Sequence, residues 1–258
     1  MTQPLSVAFN EDRTRAAFTI HHPKGNIITA DLVAALRSAL DSIAENPHLK
    51  LISIEGAGAD FSFGASIPEH APGQIERVLP EMHALIYELL EAPAPTAAVV
   101  RGRCFGGGFE LALACDFIFA ARGASFALPE VALGVFPPAA SALLPLRAGH
   151  ARGTQAILTG AAVPAAGWEG AGLVEILSED GARLTEAVED WCAAHLAPKS
   201  AAALRHAAMA ARMGLLAQVR DVLPKLERLY LDELMRTQDA VEGIDAFLAS
   251  RTPLWTDR

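Results

Sequence analysis

The sequence predicts an α/β fold closed by an all-helical C-terminal region, and three observations carry that expectation. Short apolar strands alternate with amphipathic helices through the first two-thirds of the chain. Beyond residue 182 the strand pattern stops and only helical spacing remains. More than half of the 258 residues are hydrophobic and a fifth are charged, enough to bury a substantial core.

The elements follow in order. Residues 5–9 and 15–20 read as two strands around the polar turn "NEDRT". Over 30–45, Leu32, Leu36, Leu40 and Ile43 recur at helical spacing, and Thr29 is placed to cap them. Residues 49–54 form a strand that runs toward Gly56-Ala57-Gly58. A second helical stripe over 74–91 passes through Ile75, Val78, Met82, Ile86 and Leu89, with Pro80 either kinking it or sitting in its first turn. A buried strand at 96–100 leads to a glycine-led helix near 107–114 and a strand at 116–121. In the last part, Leu184, Val188, Trp191 and His195 share one helical face, and Leu223, Leu226, Tyr230 and Leu234 another. The expected division is a core of residues 1–181 carrying the site and a helical region of residues 182–258.

Composition excludes several functions. A net charge of −9 without a long basic run argues against nucleic-acid or anionic-membrane binding. An anionic ligand must find its partners among 4 lysines and 17 arginines. Three widely spaced cysteines suit a reducing compartment. The first residues lack the pattern of a signal peptide, and the longest nearly uncharged stretch is too short to cross a bilayer. A cytoplasmic protein is expected.

The stretch "RCFGGGFELALACD" (103–116) raises the chemical question. Its glycines match neither a dinucleotide fingerprint nor a phosphate loop, because Phe109-Glu110 follows where Lys-Ser/Thr is needed. Gly64-Ala65-Ser66-Ile67-Pro68 lacks the second glycine of a nucleophile elbow. The eight histidines show no metal-ligand spacing. Glycines before a helix do allow close approach to main-chain N–H groups that lack intrahelical partners. Glu110, in the first turn, would stand beside such an anion site, or would simply stabilise the helix N-terminus. Glu130, between Pro129 and apolar residues, is an unusual setting for a surface charge, although Pro-Glu also begins helices.

Four stretches, "DFSFGASI" (60–67), "RGRCFGGGFELALACDFIFAA" (101–121), "FALPEVALGVFPP" (126–138) and "LTGAAVPAAGWEGAGLVEIL" (158–177), resemble the enoyl-CoA hydratase/isomerase, or crotonase, family. The likeness covers nearly the whole chain. It implies a crotonase-like spiral of ββα units with a helical region that packs subunits into trimers, often paired as hexamers. It implies an acyl-CoA thioester substrate and no metal or other cofactor. The backbone N–H groups of Ala65 and Gly107 match the pair that grips the thioester carbonyl, and Glu110 and Glu130 match the two acids that hold the added water. Gly64, Ser66, Ile67, Gly106 and Phe136 are the accompanying substrate-binding positions. Lys24 matches a basic position near the CoA phosphates, or is an ordinary exposed lysine.

Three departures bear on the acyl group. Ser66 stands where many relatives have Asp, and "GVFPPAASALLP" replaces a glycine-rich loop with a stiffer, more apolar one. His70 could face the acyl pocket, though a solvated loop histidine is the expectation. "FSFGASIPEH" and "YLDELMRTQDAVEGIDAFLASRTPLW" are similar to the family's cyclic dienoyl-CoA hydratases of benzoyl-CoA degradation. A general 2-enoyl-CoA hydratase, an isomerase, a thioester hydrolase and a non-catalytic scaffold are the alternatives. Retention of both glutamates and the glycine run favours water addition.

Overall fold

The structure is a computed structural model that describes residues 3–71 and 73–258. Six strands form one sheet: β1 (Leu5–Phe9), β2 (Arg15–Ile20), β3 (Leu51–Gly56), β4 (Thr96–Val100), β6 (Phe117–Ala121) and β9 (Glu175–Ser178). β1 and β2 are antiparallel, and the remaining neighbours are parallel. β5 (Arg103–Phe105), β7 (Ser125–Ala127) and β8 (Val163–Pro164) form a second, smaller sheet. Single bridges extend that second wall, Ser62 to Cys104 and Ala65 to Ile28.

Each turn of the chain therefore lays one segment in the large sheet, a second in the small wall, and then a helix. α1 (Ala30–Ile43), α2 (Ile75–Leu90), α3 (Gly107–Leu113) and α4 (Pro138–Ala148) follow successive wall segments. Thr29 caps α1 as expected, its hydroxyl accepting from Leu32 N at 3.2 Å. Pro80 lies inside α2, beyond the first turn. β3 starts later than the apolar run suggests because Lys50 N and Leu51 N both turn toward Thr14 O. The segment expected as a stiff loop after Glu130 becomes helical at Pro138, since proline at the first helical position sacrifices no needed N–H.

The large sheet is covered on both sides, which explains its continuously apolar strands. Side chains alternate between faces: Ile52, Ile54, Ala98 and Val100 enter the main core, whereas Leu51, Ala97, Val99 and Phe119 meet α7 (Leu184–His195). There Trp191 packs on Phe117 and Phe119, with ring centroids 5.1 and 4.7 Å away. α5 (His150–Thr159) and α6 (Ala165–Glu169) lead to β9, and after α7 come α8 (Ala201–Arg228) and α9 (Gln238–Leu248).

α8 is anchored by Arg212, which is 4% exposed. Its guanidinium donates to Asp116 Oδ1 at 2.8 Å, to Asp116 Oδ2 at 2.5 Å, and to the carbonyls of Ala92 and Ala94 at 2.7 and 2.8 Å. Asp116 also accepts from Thr96 N at 2.7 Å, so one charge pair ties α8 to the entries of β4 and β6. Deleting the guanidinium leaves a carboxylate and two carbonyls without it. Arg212→Ala is expected to cost about 3 kcal/mol in urea unfolding, because a half-removed buried pair is worse than none.

Candidate active site

Two extended segments of the small wall converge just before their helices start. In the first, the buried Ser62 hydroxyl donates to Asn26 O at 2.7 Å and accepts from Gly64 N at 3.1 Å. Gly64 then takes φ +107°, and a Cβ there would stand 3.1 Å from Phe105 O. In the second, Gly106 takes φ 51° and ψ −128° as it opens α3. The result is a close pairing of main-chain donors: a Cβ on Gly107 would lie 3.3 Å from Ala65 N. The flanking amides are occupied, with Gly64 N on Ser62 Oγ, Ser66 N on Ile28 O and Gly106 N on Ala127 O. The N–H groups of Ala65 and Gly107 donate to no other group among the described residues. Two adjacent free donors suit an oxygen that gains negative charge.

The acids come from different turns of the spiral. Glu110 projects from α3, is 7% exposed, and accepts Ala140 N at 2.9 Å through Oε1. Burial raises its pKa, opposed by the Ala140 N–H and then by His83. Glu130 sits on a short 3-10 helix, Pro129–Leu133, whose entry from β7 aims it back at α3. Its Oε1 occupies the space a Gly106 Cβ would need, only 2.7 Å from that position. Its Oε2 is buried with no partner among the described residues. Burial, and then the charge of Glu110, push Glu130 up to about 8. Both carboxyls line the same cavity, and Glu110 accepts a main-chain N–H while Glu130 Oε2 has no partner among the described residues, an asymmetry that favours Glu130 as the protonated member of the pair.

Ala65, Gly107, Glu110 and Glu130 line one cavity of about 50 Å3, room enough for water between the acids. Its other wall is apolar and includes Met82, Leu79, Phe136, Pro137 and Pro138. A roomier hollow of about 400 Å3 beside α8, at Leu90, Leu204 and Arg212, contains neither glutamate.

The remaining predicted positions divide. Phe136 lines the cavity, and Gly64 and Gly106 shape it through their backbones. Ser66 precedes the 3-10 turn Ile67–His70, while Ile67 packs partly buried against the apolar cluster that includes Ile75, Leu79 and Tyr230. Lys24 is exposed on the turn after β2 and stands outside the cavity; that turn reaches the wall through Phe63 N, which donates to Gly25 O at 2.9 Å. His70 corrects the expectation of a solvated loop side chain. It lies half-buried on the cavity wall, its Nδ1–H donating to Ser66 O at 2.9 Å, and burial lowers its pKa.

Two polar neighbours escaped the sequence reading. Tyr230, from the helical C-terminal region, brings a buried hydroxyl to the cavity. His83, on α2, donates from Nδ1 to Glu227 at 2.6 Å and is close enough to favour the charge of Glu110. A histidine inside an apolar helical stripe was the only signal for the latter. Among the described residues no group of three or more His, Cys, Asp or Glu could hold a metal ion, and no helix is long and apolar enough to cross a membrane.

Comparison with known proteins gives concordant results. The family model described as "Enoyl-CoA hydratase/isomerase" matches residues 11–258. The chain is 40% identical to a cyclohexa-1,5-dienecarbonyl-CoA hydratase of Thauera aromatica over 257 residues, covering 100% of this chain and 98% of that one. It is 33% identical to a probable enoyl-CoA hydratase of Bacillus subtilis, covering 96% and 97% of the two chains. Among solved structures, an enoyl-CoA hydratase from Mycobacterium avium subsp. paratuberculosis superposes with a TM-score of 0.86 at 30% identity, over 98% of this chain and 99% of that one. The expected crotonase-like α/β spiral with its helical C-terminal region is the fold these likenesses support.

Proposed function

The chain belongs to the enoyl-CoA hydratase/isomerase family, enzymes of the hydro-lyase class among the relatives it matches, and from that premise we propose that it adds water across a conjugated double bond of an acyl-CoA thioester. The observation that carries this reading is the meeting of two unoccupied main-chain N–H groups with two buried carboxyls around one cavity. Ala65 N–H and Gly107 N–H grip the thioester oxygen and stabilise the enolate, each for about 3 kcal/mol. Ionised Glu110 takes a proton from water as the water oxygen bonds to the β-carbon. Protonated Glu130 gives its proton to the α-carbon, and the proton gained by Glu110 passes to Glu130 to restore the site. One water is consumed, and no metal or redox group is required.

The acyl group we propose is a cyclic dienoyl ring, cyclohexa-1,5-diene-1-carbonyl. The firm apolar wall of Phe136, Pro137 and Pro138 and the 40% identical relative of that name support it. Lys24 attracts the CoA phosphates from outside the cavity in the same reading. A cytoplasmic setting and assembly into trimers or hexamers through the helices after residue 182 belong to the same reading, and light scattering checks the assembly. The deciding experiment incubates the protein separately with crotonyl-CoA and cyclohexa-1,5-diene-1-carbonyl-CoA and follows each by mass. Gain of one water by the ring thioester is expected. Gain by crotonyl-CoA alone replaces the ring with a chain, and gain by neither defeats the hydratase reading.

A further inference from the structure

We infer that the Tyr230 hydroxyl is a third hydrogen-bonding partner of the oxygen that is added, donating to it while the two glutamates handle its protons. The inference rests on the hydratase reading above and extends it to a residue outside the spiral.

Tyr230 lies in a short π-helical segment, Leu229–Glu233, that interrupts the end of α8. Such a segment re-aims side chains relative to the α-helix before it, and here it turns the tyrosine inward. The ring is 1% exposed and packs edge-on against Phe136, with centroids 5.5 Å apart. Its hydroxyl is buried and has no partner among the described residues, yet it borders the cavity shared by Glu110 and Glu130. A phenol kept dry without a protein partner is destabilising, and a Phe would fill the same space. A group in the cavity is the partner that would justify it.

Hydrogen-bond counting identifies which group. The attacking water directs one O–H to ionised Glu110 and the other to the acceptor oxygen of Glu130. One lone pair faces the β-carbon, which leaves the second in need of a donor. The main-chain N–H groups are committed to the thioester oxygen, and the His70 Nδ1–H is committed to Ser66 O. The Tyr230 O–H remains. Burial, and then the charges of Glu110 and Glu130, raise the pKa of the phenol above its ordinary range, so it keeps the proton it must donate. In the reverse direction the same O–H bonds the departing hydroxyl.

The test is Tyr230→Phe, which preserves the ring against Phe136. It is assayed with whichever of the two thioesters the wild type hydrates, with α-proton exchange of cyclohexanecarbonyl-CoA or butyryl-CoA in deuterated water alongside. Enolisation needs the N–H pair and a carboxylate but no attacking water. The expected result is a kcat for hydration lowered by about 10- to 100-fold, with KM and the exchange rate changed less than about twofold. The melting temperature should stay level or rise. Hydration within about twofold of wild type overturns the role. Hydration and exchange falling together, or a melting point well below the wild type, reduces Tyr230 to packing and overturns it equally. A wild type that hydrates neither thioester defeats the function itself, and the assignment of Tyr230 with it.

Discussion

Glu110→Gln is expected to lower hydration by about a thousandfold, and Glu130→Gln by a similar factor, with the KM for the thioester nearly unchanged. Both amides keep the size of the acid they replace, so the cavity and the paired N–H groups persist and the CoA ester still binds. What disappears is proton transfer. The two variants differ in their pH dependence, which separates their roles. Glu130 in the folded protein holds its proton up to about 8, against an ordinary value of 4.5. Activity that needs a protonated Glu130 therefore falls as pH rises through about 8, and the residual activity of Glu130→Gln lacks that limb. Stability follows the same sign. Between roughly pH 4.5 and 8 the native state binds a proton that the unfolded chain has released, so wild-type stability declines as pH rises through that window. Glu130→Gln lacks this contribution to the decline, and its melting temperature should gain on the wild type from about pH 5 to 8. A wild-type rate in either variant removes that residue from the mechanism.

The parts of this molecule legible in its sequence are those whose pattern is longer than a few residues. Strands β2, β3, β4 and β6 and helices α1 and α2 lie within a residue or two of their apolar runs. β5, β7 and β8 are two or three residues long, and that length carries no periodicity, so the second wall was invisible. That wall is what builds the site. Ser62, Gly64, Cys104 and Gly106 matter because neighbouring turns pair there, a long-range property no local window contains. The odd chemistry of Glu110 and Glu130 could be seen residue by residue, but their meeting depends on the sharp return from β7, and only the family resemblance supplied it beforehand. Tyr230 shows a different limit. Helical spacing placed it on an apolar face with Leu223 and Leu226, and it is indeed buried. The π-helical segment that sends its hydroxyl to the acids arises from tertiary packing and has no local signature.

Gly106→Ala is expected to damage both the donor pair and the acid pair through one methyl group. The backbone at φ 51° and ψ −128° is open to glycine and strained for any residue with a side chain, at a cost of about 1–3 kcal/mol. The methyl would also stand 2.7 Å from Glu130 Oε1, well inside van der Waals contact. Neither neighbour can yield without consequence. Rotating residue 106 toward an ordinary conformation swings Gly107 N–H away from Ala65 N–H, and displacing Glu130 moves the proposed proton donor out of place. A loss of about 100- to 1,000-fold in kcat is expected, together with a lowered melting temperature. Gly123→Ala provides the comparison, because that glycine is exposed and a Cβ there meets nothing within 4 Å. It should leave rate and stability near the wild type. If Gly106→Ala is instead as active as Gly123→Ala, the tight approach of Glu130 to the glycine run is not the geometry in which the enzyme works.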